Sequence, residues 1–241
     1  MKLMKTILMV FTTALELLAL SCQQNKPAQV LEIIDASRSV SSAVPAALGV
    51  ADHSTQLKGV RRKSTISFMA TGNKQTAGEP VWLGSFPILK AHKVMEGQSN
   101  EPDNAELLGQ VEGLLRGLKN TKSISPIYLA VRRGVQYLRA QGCGPGPAPA
   151  VCYLVVITDG EETEESAIRK ALHGAGNFEP PKNLMIDNTG IAVEFCGLSG
   201  TNEITPERNS TSAERLETVW INLFKVPPAF SPFCRQKAKG D

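Results

Sequence analysis

The chain has 241 residues, of which 42% are apolar and 20% charged, with a formal net charge of +3. That length suits one α/β domain with a full core better than two small ones, and the balance excludes a disordered chain and a multi-span membrane protein. The charge is too mild to name a partner: Arg61-Arg62-Lys63 and Arg132-Arg133 read as solvated faces, and no nucleic acid is expected.

In chain order, Lys2 and Lys5 precede a mostly apolar run from Thr6 to Leu20. It is too short to span a bilayer and reads as a secretory signal over residues 1–21. The run closes on Ala19-Leu20-Ser21-Cys22, which resembles the lipobox of bacterial lipoproteins, with Ala19 where leucine is usual and Glu16 as a charge within the signal. The resemblance implies a chain exported and lipid-anchored through Cys22, in the periplasm or, given Gln23 at the second position, at the outer membrane. The lipid would be its sole membrane contact. Ala19 and Ser21 also satisfy the small-x-small rule of an ordinary signal peptidase, so a soluble secreted product stays open. Residues 22–29 form a tether and residues 30–241 one domain with a C-terminal tail.

Val30 to Ile34 is an apolar, β-branched run and predicts a buried strand. Ser64 to Thr71 and Pro80 to Leu89 are further strands around the turn-rich GNKQTAGE. Apolar residues recur with helical spacing from Asn104 to Leu118 and again from Ile127 to Leu138, where Pro126 suits a first turn. Tyr153 to Ile157 is the most apolar strand. A helix over Thr163 to Leu172, a strand over Ile191 to Phe195 and a helix over Ala213 to Phe224 complete the pattern. Alternating strands and helices predict a doubly wound, mostly parallel sheet with helices on both faces. Pro45, Gly49 and Gly59 interrupt any helix after the first strand, and Gly174 to Gly190 reads as a long unstructured loop.

Apart from Cys22, the cysteines are Cys143, Cys152, Cys196 and Cys234, an even number in an exported chain. The connectivity is open. Local pairing is expected, Cys143 with Cys152 across QGCGPGPAPAVC and Cys196 with Cys234 at the tail, and free buried thiols are the alternative. No pair has CxxC spacing, so redox and zinc-ribbon chemistry lack support.

The first strand runs straight into Asp35, Ser37 and Ser39, and the strand YLVVITDGEE delivers Asp159 and Gly160 to the same edge. In such a sheet ligands bind outside the carboxyl ends of the strands. Ser123 and Ser125 open the helix between them. Carboxylates with hydroxyls are hard oxygen donors, suited to Mg²⁺ or Mn²⁺ and not to zinc or copper. Helix capping by the serines is the bland alternative, although it needs neither Asp159 nor the second loop.

Together Asp35-Ala36-Ser37-Arg38-Ser39, Ser125 before PIYLAV, and Asp159 in ITDGEE resemble the metal-ion-dependent adhesion site of the von Willebrand factor type A domain, from about Val30 to Phe224. The single departure is serine for threonine at position 125. The resemblance implies a metal held by Asp35, Ser37, Ser39, Ser125 and Asp159, the carboxylates acting directly or through water. Ser123 is the spare hydroxyl, and Glu161 the best carboxylate one step behind the ligands. The remaining features look structural. Glu161, Glu162, Glu164 and Glu165 suit the start of a helix through its dipole alone. His53, His92 and His173 lack ligand spacing, and Trp82, Trp220 and Phe224 fit core or helix-packing positions.

The function expected is a divalent-metal-dependent, adhesion-type binding module at the cell envelope, the metal bridging to a carboxylate of an unidentified envelope or extracellular protein. A Mg²⁺-dependent hydrolase or phosphotransferase is one alternative, against which stand the absence of a GxSxG elbow, a GxxxxGK[ST] loop or a histidine near any motif. An envelope protein with a vestigial metal site is the other.

Overall fold

The computed structural model describes residues 27–36, 64–71, 79–87, 106, 109–114, 117, 124–146, 150–174, 176–197 and 212–231. Its strands are β1 (Ala28–Asp35), β2 (Thr65–Thr71), β3 (Val81–Pro87), β4 (Val151–Ile157), β5 (Ala192–Cys196) and β6 (Ala229–Ser231). Its helices are α1 (Ile127–Ala140), α2 (Ser166–His173) and α3 (Ala213–Leu223), with a 3₁₀ turn at Lys182–Leu184. The sheet order is β3-β2-β1-β4-β5-β6, with β3 antiparallel to β2 and every other pairing parallel. This is the doubly wound α/β architecture that the alternating pattern predicts. Among the described residues no helix is long and apolar enough to cross a membrane.

β1 is a central strand, paired with β2 and β4, and it is buried along nearly its whole length, as a strand of a sheet covered on both faces must be. α1 follows the helical period closely, burying Ile127, Tyr128, Ala130, Val131, Val135 and Leu138 and turning Arg132 and Arg133 outward. Gly134 brings this helix hard against the sheet. A Cβ there would lie 3.0 Å from Ile33 Cδ1 and 3.1 Å from both Leu31 and Leu154. At the other end of the core Trp220 is fully buried against Phe195, with ring centroids 5.0 Å apart, and Phe195 also meets Phe224 and Phe230. Trp82 differs: it is 42% exposed and leans on Tyr137 of α1 at a centroid distance of 4.3 Å, a helix-packing position rather than a core one.

Cys143 and Cys152 form a disulfide, as local pairing predicts. It ties the chain after α1 to the start of β4. Cys196 is buried at the end of β5, and its expected partner Cys234 lies outside the described residues, as does the lipidation candidate Cys22.

Three expectations need correction. α2 starts at Ser166 instead of Thr163, because residues 162–165 wrap around the Glu162 carboxylate before Glu165 caps the helix. The stretch from Gly174 to Gly190 is not structureless. It holds the 3₁₀ turn and a bridge between Ile186 and Phe224, and Asn188 fastens it by bonding both the carbonyl and the N–H of Val226. Finally, β6 joins the sheet beyond α3, a strand too short for its periodicity to be visible. Of the helix predicted from Asn104 to Leu118, residues 109–114 are helical, with Val111 fully buried. The interrupted region from Ala43 to Val60 lies outside the described residues.

Candidate functional site

β1 and β4 are neighbours, yet the chain moves outward from them in opposite directions, through β2 and β3 on one side and β5 and β6 on the other. Their carboxyl ends are therefore the switch point at which such sheets bind ligands. β1 ends on Asp35, and β4 is followed at once by Thr158 and Asp159.

Asp35 is 1% exposed, and its carboxylate is held by two hydroxyls from distant parts of the chain. Ser125 Oγ donates to Oδ1 at 3.0 Å, and Thr158 Oγ1 donates to Oδ2 at 2.8 Å. Thr158 Oγ1 also accepts the N–H of Gly160 at 3.0 Å. Gly160 has φ +82°, a left-handed conformation that turns the chain sharply after Asp159. The Trp220 indole N–H fixes that turn by donating to the Gly160 carbonyl at 3.0 Å. Asp159, itself nearly buried, accepts the backbone N–H of Glu161 on Oδ1 at 3.1 Å.

The loop bearing Asp159 also grips the one bearing Ser125. Ser125 N–H donates to Thr163 Oγ1 at 2.6 Å, and Thr163 N–H donates back to the Ser125 carbonyl at 3.3 Å. One residue earlier, Glu162 is 1% exposed. Its Oε2 accepts Tyr128 N–H at 2.6 Å, while Oε1 accepts the N–H groups of Glu164 and Glu165 at 2.7 and 3.1 Å. Burial pushes the Glu162 carboxyl above its ordinary value, against the three backbone N–H groups that favour its ionised form.

The structure thus brings Asp35, Ser125 and Asp159 to the carboxyl ends of β1 and β4. Ser37, Ser39 and Ser123 lie outside the described residues. The Glu161 side chain is 29% exposed, with Oε2 3.8 Å from His173 Nε2. Glu162 is the buried one, and Thr158 is a contributor the sequence reading passed over. Thr158 stands inside the ITDGEE motif, so adjacency to Asp159 could have flagged it; the inward turn of Glu162 follows only from the packing of the two loops.

The resemblance of the motifs implies a divalent cation here. Asp35, Ser125, Thr158 and Asp159 offer oxygen alone, and among the described residues no three His, Cys, Asp or Glu side chains gather into a metal cluster. A donor set in which hydroxyls count as much as carboxylates fits a hard ion such as Mg²⁺ or Mn²⁺.

Fold and site together define a doubly wound α/β domain with a hydroxyl–carboxylate cluster at its switch point. No protein-family model matches the chain, and no curated protein is significantly similar to it. Among solved structures it is similar to the pilus adhesin SpaC from Lactobacillus rhamnosus GG, at 12% identity and a TM-score of 0.45, covering 87% of this chain and 28% of that one. It is similar to a von Willebrand factor type A protein from Catenulispora acidiphila, at 12% identity and a TM-score of 0.43, covering 86% of this chain and 39% of that one. A third is the manganese-loaded TRAP protein of Plasmodium vivax, at 14% identity and a TM-score of 0.38, covering 77% and 67% of the two chains. The chain spans well under half the length of the first two. Neither ligand nor partner follows from likenesses this distant.

Proposed function

We propose that the chain is a divalent-cation-dependent, adhesion-type protein-binding module rather than an enzyme. It acts at the bacterial cell envelope, on an exported chain anchored by lipid at Cys22. The observation that supports this reading is the convergence of Asp35, Ser125 and Asp159 at the carboxyl ends of β1 and β4. Asp35, Ser37, Ser39, Ser125 and Asp159 would hold the cation, Mg²⁺ or Mn²⁺, which supplies an electrophilic centre for a carboxylate of a partner protein. Three of the five proposed ligands are neutral hydroxyls, so the two carboxylates would only just balance a divalent ion, which keeps attraction for an outside anion.

The test is calorimetric titration of Mg²⁺ and Mn²⁺ into the metal-stripped protein, beside Asp35→Ala and Ser125→Ala. Binding in the parent, abolished in Asp35→Ala and weakened in Ser125→Ala, is the expected result. A folded parent that binds neither ion would overturn the reading. Anchoring is tested separately by fractionation: Cys22→Ser is expected to leave the membrane fraction, and unchanged membrane association would refute the lipid.

A further inference from the structure

We propose that Glu162 and Thr163 are positioning residues that lock Ser125 in place beside Asp35, so that the loop carrying Asp159 and the loop carrying Ser125 act as one unit. The bearing of this lock on cation affinity rests on the function proposed above; the lock itself does not.

The argument starts at the head of α1. A helix begins with unsatisfied N–H groups that normally find a side-chain cap at its own N-terminus. Here the N-cap position is Pro126, which makes no side-chain capping bond. The missing acceptor comes from the β4–α2 loop, as Glu162 Oε2 takes the Tyr128 N–H at 2.6 Å. The other oxygen of the same carboxylate binds its own loop through Glu164 and Glu165, so one side chain ties that loop's backbone to the head of α1. Thr163 then holds Ser125 by a pair of bonds, N–H to Oγ1 and N–H to carbonyl. Residues 125–128 are therefore held by two consecutive residues of a loop that begins at Asp159. With Glu162 1% exposed, loss of its carboxylate would leave buried backbone N–H groups without their acceptor. Neither residue need touch a cation to govern it. Each fixes the backbone from which the Ser125 hydroxyl reaches Asp35.

The test is residue-resolved amide hydrogen exchange on the metal-free protein and on Thr163→Val, Thr163→Ser and Glu162→Ala, followed by calorimetric Mn²⁺ titration of each. Thr163→Val keeps the shape and removes the hydroxyl, whereas Thr163→Ser keeps the hydroxyl. In Thr163→Val the Ser125 and Tyr128 amides are expected to exchange about 10- to 100-fold faster, with Leu154 and Val156 in β4 unchanged. Thr163→Ser should restore protection. Mn²⁺ affinity should fall about tenfold or more in Thr163→Val and recover in Thr163→Ser. Unchanged exchange at Ser125 and Tyr128 in Thr163→Val would overturn the lock, whether or not Glu162→Ala folds. Faster exchange with unaltered Mn²⁺ affinity would overturn its role at the site. A parent that binds no Mn²⁺ would refute the cation reading, and the exchange data would still decide the lock.

Discussion

Ser125 and Asp35 stand 90 positions apart in sequence, yet the serine hydroxyl donates to the aspartate at 3.0 Å where both side chains are nearly excluded from water. Removing the hydroxyl leaves a buried carboxylate oxygen short of a donor. Ser125→Ala is expected to lower the stability of the metal-free protein by about 1–3 kcal/mol, read by chemical denaturation. Ser125→Thr retains the oxygen and is expected to stay close to the parent in both stability and cation binding.

Glu162 makes stability depend on pH. Burial raises its carboxyl above the ordinary 4.5, so between the unfolded and the folded value the folded protein binds more proton at this site than the unfolded chain does. Such a group contributes fully below about pH 4.5, and its contribution is lost as pH rises through the folded value. Thermal denaturation of the parent and Glu162→Gln across pH 4 to 8 isolates this effect, because the other titrating groups are common to both. The parent's lead over the variant is expected to narrow as pH rises, and a widening lead would refute the assignment.

The disulfide closes a short loop, with Cys143 and Cys152 separated by nine positions. Constraining a loop of that size in the unfolded chain stabilises the fold by about 3 kcal/mol. The double variant Cys143→Ser/Cys152→Ser is expected to show a loss of about that size. The strand-end crevice lies at the opposite end of β4, so cation binding should survive at temperatures where the variant stays folded.

Gly190 sits against that same loop. It has φ +83°, and a Cβ on it would fall 2.2 Å from the Gly144 carbonyl oxygen. Rigid backbone cannot give way as a flexible side chain can, and the left-handed conformation is itself strained for any residue with a Cβ. Gly190→Ala is expected to destabilise by more than about 3 kcal/mol, seen as a lowered melting temperature.

At Gly134 the neighbours are the ends of Ile33, Leu31 and Leu154, which can move slightly. Alanine gains up to about 1 kcal/mol of helix propensity and loses about 1–3 kcal/mol to overpacking. Gly134→Ala is thus expected to be mildly destabilising and Gly134→Val strongly so; equal stability of the two would contradict the close helix–sheet approach.

Much of the architecture was legible because burial writes itself into periodicity. The run from Val30 to Ile34 predicts β1 because a central strand of a sheet covered on both faces is mostly apolar on both, and Ile127 to Leu138 predicts α1 because a helix on a sheet buries one stripe. Both elements extend a residue or two beyond the apolar pattern, since backbone pairing continues where side chains no longer need to be apolar. β6 was not legible: three residues carry no period, and its pairing depends on β5 already being in place.

For the site, the sequence by itself determined where Asp35, Ser125 and Asp159 would meet. An aspartate ending an apolar strand, a serine just before a helix and a second aspartate just after another strand gather at the carboxyl edge of a parallel sheet. Tertiary structure alone decided how those groups are held. That Thr158 and Ser125 share the Asp35 carboxylate, and that Glu162 turns inward while Glu161 remains partly exposed, depends on which loop packs against which. Hydrogen bonds between residues dozens of positions apart leave no local periodicity, because their partners are set by the folding of the whole sheet.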